Sequence, residues 1–164
     1  MIIASRLCRP AYAAFDGIGG VYRSGRWHEL GYRVIYAAES EALACLESLV
    51  HLSSLAQLPE YVCIKAKIPE SLVLNIVDFG ALPTDWISSE STRARALGTR
   101  WLVERASPVL RVPSVVIPRE SNYMLNPEHA NFTQIAVDNP RPFEPLIIRS
   151  PLNSISGFSL DCSS

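Results

Sequence analysis

Lysine is nearly missing from this chain: of its fifteen basic residues only Lys65 and Lys67 are lysine, and the rest are arginine. Its positive charge is therefore carried by the side chain suited to planar, bidentate recognition of carboxylate or phosphate. An excess of either sign is missing too. Sixteen Asp and Glu leave a formal net charge of -1, so there is no bulk cationic field for a polyphosphate backbone or an anionic membrane, and direct nucleic-acid or membrane binding is not expected. Cysteine is sparse: Cys8, Cys45, Cys63 and Cys162 lie at wide spacings with no C-x-x-C pair, which predicts reduced thiols rather than a disulfide framework. No apolar run approaches the roughly 18 residues that cross a bilayer. The opening Met1-Ile2-Ile3-Ala4-Ser5-Arg6 lacks a basic segment followed by an apolar core and a cleavage site. A cytoplasmic protein is expected.

What is present is ordinary globular material. The 164 residues are 48% hydrophobic and 19% charged, the signature of one folded domain over 1–164, with a small, polar and loosely ordered tail from 150. Gly17, Gly19, Gly20, Gly25 and Gly31 crowd one stretch that no regular element tolerates, which predicts a long glycine-rich loop. A strand over Arg33 to Ala38 and a helix over Glu39 to Leu52, capped by Ser40, follow. Tyr61 to Ile68 alternates as a strand, and Leu72 to Val77 reads as another. Between Ser88 and Ala106, Ala94, Leu97, Trp101 and Leu102 mark an amphipathic helix. Proline-punctuated strands are predicted at Val109 to Val112, Ser114 to Ile117, Thr133 to Val137 and Leu146 to Arg149, while Asn122 to His129 reads as a polar turn. The sum is an α+β fold with a mixed, strand-rich sheet core and flanking helices.

A few residues fit this scaffold badly. In the Glu39 to Leu52 helix the apolar stripe of Leu43, Leu46 and Val50 is completed by Glu47, and a buried carboxylate needs a cation, strong donors or a cleft. His51, one turn later, is a local partner for it. Tyr36 lies mid-strand, where a ring could stack on a planar ligand. Arg23, Arg26 and Arg33 flank or occupy the glycine-rich loop, where they could grip an anion. The glycines match neither a dinucleotide-binding nor a Walker fingerprint, and no G-x-S-x-G elbow is present. His28, His51 and His129 have no metal-ligand spacing, and no metal is expected.

Taken in order, several pieces resemble the RES domain family: Arg6-Leu7, Gly25-Arg26-Trp27, Gly31, Val34-Ile35-Tyr36, Ala44 through Leu52, Pro113-Ser114, and Asn122-Tyr123 through Asn126-Pro127-Glu128-His129. The resemblance implies a fold related to ADP-ribosyltransferases and a bacterial toxin that consumes NAD. It also implies an Xre-type antitoxin partner, which would supply the DNA binding, in a homo-oligomer or a hetero-oligomer. Carried over residue by residue, it implies Arg26, Tyr36, Glu47 and Ser114 as catalytic residues, and Arg26, Trp27, Tyr36, Ser114 and Asn122 as the NAD-binding set. Glu47 would stabilise an oxocarbenium-like state as the nicotinamide leaves, and Tyr36 would stack on that ring. Arg26 would hold the pyrophosphate or ribose side and meet an inserted antitoxin tail. The cationic leaving group is its own electron sink, so no metal is required. One departure stands out. Where the resemblance leads to Gly-Gly-Arg-Trp-Asn, this chain has Ser24-Gly25-Arg26-Trp27-His28. A rival expectation is a non-catalytic binding module in which Glu47 and an arginine form a buried structural pair.

Overall fold

The structure is a computed structural model that describes residues 1–50 and 60–144. The strand expected over Leu146 to Arg149, the tail from 150, and His51 lie outside the described residues. The chain opens with β1 (Ile2–Cys8), which pairs antiparallel along its full length with β3 (Tyr61–Ile68), from Ile2 opposite Ile68 to Cys8 opposite Val62. The bounds of β3 are those its alternation predicts. The glycine-rich stretch is a loop, apart from one turn of helix, α1 (Gly19–Tyr22). β2 (Ile35–Ala38) then leads into α2 (Glu41–Leu49), where Ser40 caps the helix by accepting from the Leu43 N–H at 3.0 Å.

Four expectations need correcting. Over Leu72 to Val77 the strand β4 keeps only Val73–Asn75, and the chain then turns into the short helix α3 (Ile76–Phe79), which buries Ile76. Ser114 to Ile117 is a turn, because the Ser114 N–H bonds the Glu120 carbonyl at 3.0 Å and the Glu120 N–H bonds Ile117 at 2.8 Å, closing a hairpin. That hairpin joins β5 (Val109–Pro113) to β6 (Ser121–Leu125), so the first half of the supposed polar turn is a strand. In the last third, β7 is only Ala136–Val137 and β8 is Arg141–Phe143. The long helix α4 (Thr92–Glu104) begins at Ser91, whose side chain accepts from Ala94 N–H at 3.2 Å, and stops at a left-handed Arg105.

The described strands form one mixed sheet in the order β4-β5-β6-β2-β1-β3-β7, with β8 also pairing β3; among them only β4 and β5 run parallel. This is the α+β, strand-rich fold expected. Alternation divides the core. Ile35, Ala37, Val109, Tyr123 and Leu125 point to one face and join Ala4, Ile64, Ala66 and Ile68. Val34, Leu110, Val112 and Met124 point to the other, beneath Ala94, Trp101 and Leu102 of α4, with Trp27 added from the loop. Beside α4 on that face, α2 packs Leu43 and Ala44 against Ala38. β1 and β2 register at a single pair, Ser5 opposite Ala38, so the sheet has a seam there.

Candidate active site

The residues singled out gather on the face that carries α2 and α4. Ala38 lies opposite Asn122 and Tyr36 opposite Met124 in the β2–β6 ladder, so Tyr36 and Asn122 are diagonal neighbours on one face. Val112 lies opposite Asn122, and Ser114 follows on from β5 at the turn. From the adjoining helix, Glu47 reaches down to both: Ser114 Oγ donates to Glu47 Oε1 at 2.7 Å and Asn122 Nδ2 donates to the same oxygen at 2.6 Å. Ser114 is fully buried and held in turn, its Oγ accepting the N–H groups of Val116 at 3.1 Å and Ile117 at 3.0 Å. Among the described residues Glu47 enters no ion pair.

This corrects two expectations. Among the described residues Glu47 is not half of a buried arginine pair; the two donors found there, Ser114 and Asn122, are neutral. Nor is its helix packed through Leu46 and Val50, which are 39% and 59% exposed, whereas Leu43 and Ala44 are buried. Small Ala44 lets α2 approach Ala38, and that rotation turns the half-buried Glu47 toward the sheet.

The second part of the site is aromatic and cationic. Arg26 Nη1 donates to the carbonyls of Ile87 at 2.7 Å and Trp86 at 3.3 Å. Arg95 on α4 donates through Nε to Gly25 and through Nη2 to Ser89, each at 3.2 Å, so two guanidiniums pin the glycine-rich loop to the segment before α4. The Tyr36 hydroxyl lies 2.8 Å from His28 Nδ1, and His28 Nε2 lies 3.1 Å from the Arg23 carbonyl. Burial pushes the Tyr36 phenol far above its ordinary range, opposed by the Trp27 backbone N–H and by Arg26 and Arg95, so it stays protonated. Burial likewise lowers the His28 pKa and keeps the ring neutral; the Arg23 and Gly20 carbonyls oppose this and Arg95 adds to it.

Arg26, Tyr36, Glu47, Ser114 and Asn122 thus share one side of the sheet. Trp27 does not present itself to a ligand: it is 3% exposed and stacks on Trp86, centroids 6.0 Å apart, within the core under α4. Arg6 carried no role in the sequence reading, yet the structure sets it at the β1–β2 seam. Its Nη1 donates to the Tyr36 carbonyl at 3.4 Å, and its buried Nε has no partner in the described structure. A lone arginine within Ile2-Ile3-Ala4-Ser5-Arg6-Leu7-Cys8 was the signal available for it. Among the described residues no three His, Cys, Asp or Glu cluster to hold a metal ion, and no helix is long and apolar enough to cross a membrane.

A seamed, strand-rich α+β sheet with one carboxylate held by neutral donors beside an arginine-flanked tyrosine defines the class. The RES domain model matches residues 3–145, and the chain belongs to the RES domain family. It is 33% identical over 145 residues to the Prs ADP-ribosylating toxin of Sphingobium sp. (strain YBL2), covering 84% of this chain and 90% of that protein. It is 37% identical over 134 residues to the toxin Res of Photorhabdus laumondii subsp. laumondii, covering 80% and 85%. Its fold is similar to that of a chain in the crystal structure of the M. tuberculosis MbcT-MbcA toxin-antitoxin complex, with TM-score 0.71, 14% identity, and 90% and 86% of the two chains covered.

Proposed function

We propose that this chain is the toxin of a toxin–antitoxin pair and consumes NAD by cleaving the bond between nicotinamide and ribose. The observation that carries this reading is the Glu47 carboxylate, held by Ser114 and Asn122 and, among the described residues, by no cation. A half-buried carboxylate held by neutral donors is poised to stabilise positive charge that develops opposite it, as an oxocarbenium-like ribose does when its leaving group departs. Ser114 and Asn122 load Oε1, which orients the carboxylate for the ribose. Tyr36 provides an aromatic wall, and Arg26 provides donors for the pyrophosphate or ribose oxygens. The names of the similar toxins fit this reading. Water, phosphate or a protein side chain could accept the ribosyl carbon.

Incubating the purified, partner-free protein with NAD, and following products by chromatography and mass spectrometry, tests it. Nicotinamide release that Glu47→Gln and Arg26→Ala both lose is the expected result. The second product, free ADP-ribose, its phosphate or a modified protein, identifies the acceptor. Intact NAD in the presence of phosphate and protein acceptors overturns the reading. The partner in this reading is an Xre-type antitoxin that supplies DNA binding and inserts a tail against Arg26. An Arg26→Ala toxin should bind it about tenfold more weakly, the loss of roughly one charge-assisted contact; unchanged affinity would remove Arg26 from that interface.

A further inference from the structure

We propose that His28 is a positioning residue for Tyr36, acting as a neutral imidazole with its proton on Nε2. This rests on the reading of Tyr36 as a wall of the NAD site and adds a residue to it. The hydrogen-bond polarity follows from the partners. A carbonyl oxygen only accepts, so the 3.1 Å contact of His28 Nε2 with Arg23 requires the proton on Nε2. A neutral imidazole has one N–H, so Nδ1 is an acceptor and the Tyr36 hydroxyl donates to it across 2.8 Å. The Tyr36 proton is thereby committed away from any ligand. Tyr36 therefore meets a ligand with its ring, and His28 fixes that ring's pose.

The surroundings are built for this bond. A Cβ on Gly25 would stand 2.7 Å from His28 Nδ1 and 2.8 Å from the Tyr36 hydroxyl, so any side chain there enters the contact itself. His28 is 2% exposed, and the groups acting on it are Arg95 from α4, the Arg23 and Gly20 carbonyls of its own loop, and Tyr36 from β2. None of these is a carboxylate that would favour the imidazolium. Protonating Nδ1 would set donor against donor and force the Tyr36 hydroxyl to turn. His28 is also, with Ser24, one of the two positions at which the chain departs from Gly-Gly-Arg-Trp-Asn. Asparagine has both an acceptor and a donor but cannot ionise.

Two measurements on the full-length protein test the proposal. The 15N shifts of His28 should report the Nε2–H tautomer at neutral pH, and Tyr36→Phe should perturb Nδ1. NAD turnover across pH should show an acid limb below the ordinary imidazole range for the wild type. His28→Leu should lose about 10- to 100-fold in kcat/KM, the scale of a misplaced binding group. His28→Asn should restore most of that loss and lack the acid limb. An Nδ1–H tautomer, a cationic ring at neutral pH, or wild-type turnover and pH profile in His28→Leu would overturn the proposal. If the wild type leaves NAD intact, the reading of the activity fails and the tautomer alone decides the inference.

Discussion

Helices α2 and α4 rest on the same face of the same sheet and use it in opposite ways. α4 buries Ala94, Gly98, Thr99, Trp101 and Leu102 over strands that offer Leu110, Val112 and Met124. The contact is close enough that a Cβ on Gly98 would sit 1.9 Å from the Trp27 carbonyl oxygen. α2 buries only Leu43 and Ala44, and one turn later it points a carboxylate at the sheet. The ladder beneath α4 is apolar, while beneath α2 it holds Asn122 and runs out at Ser114. One helix thus holds the domain together and the other is held in place to present Glu47. A substitution in the first should be read in stability, and in the second in chemistry.

The largest stability effect should therefore come from Trp101. Its ring is fully buried, and its Nε1 donates to Ser107 Oγ at 2.8 Å, which itself donates to the Val109 carbonyl. Trp101→Ala should cost about 3–5 kcal/mol in denaturant unfolding, the range for removing a large aromatic from a core. A loss below about 1 kcal/mol would mean that α4 is not the structural element of the pair. Glu47→Gln is its counterpart. The amide keeps the shape and removes the charge, so NAD turnover should fall by about 100- to 1000-fold, the scale of losing one preorganised electrostatic contact. Unfolding should shift by no more than about 0.5 kcal/mol in either direction. A large destabilisation with activity retained would turn the comparison upside down.

Ser114 sharpens the contrast, because it belongs to both regimes. Its hydroxyl donates to Glu47 and accepts the Val116 and Ile117 N–H groups that close the turn after β5. Ser114→Ala leaves those half-buried groups without their partner beside a fully buried side chain. A stability loss of about 1–3 kcal/mol should accompany the loss of turnover. Asn122→Ala, which removes one donor from Glu47 Oε1 at a half-buried site and touches no turn, should reduce turnover with the smaller effect on unfolding.

Periodicity made the two helices, β3 and most of β2 legible, and Ser40 caps its helix as its position requires; the Ser91 cap was not read from the sequence. β6 was not legible. Its core contacts come from Ser121, Tyr123, Met124 and Leu125, yet Asn122 and the following Asn126-Pro127 give the stretch the composition of a turn. Ser114 to Ile117 failed in the reverse sense. Val115, Val116 and Ile117 have strand composition, but the Ser114 hydroxyl offers their backbone an alternative partner and bends it. At the site, Glu47 announced itself as a carboxylate on an apolar stripe. Its partners were reached only through the family resemblance, since Ser114 and Asn122 are 67 and 75 residues away in the chain and meet it through the β5–β6 hairpin. The His28–Tyr36 bond was hidden for a different reason: eight residues apart, they are joined by a loop whose path the sequence does not dictate.

The smallest effect, and the one that separates the loop side of the site from the helices, is in pH. In the folded protein, burial holds the His28 pKa below its ordinary 6.5, whereas the unfolded chain takes up the proton at that ordinary value. Between the folded and unfolded pKa values the unfolded state binds more protons, so stability rises with pH there. The contribution is complete above about pH 6.5 and is lost as the pH falls through the folded value. Melting temperatures taken from pH 7.5 to 5 should therefore decline on the acid side, and His28→Asn, which has no proton to gain, should flatten that decline. Trp101→Ala should lower the whole curve and keep its slope, since the indole carries no titratable proton in this range. If His28→Asn melts with the wild-type slope, the acid sensitivity belongs to another group, and the neutral imidazole beside Tyr36 is not what this loop protects.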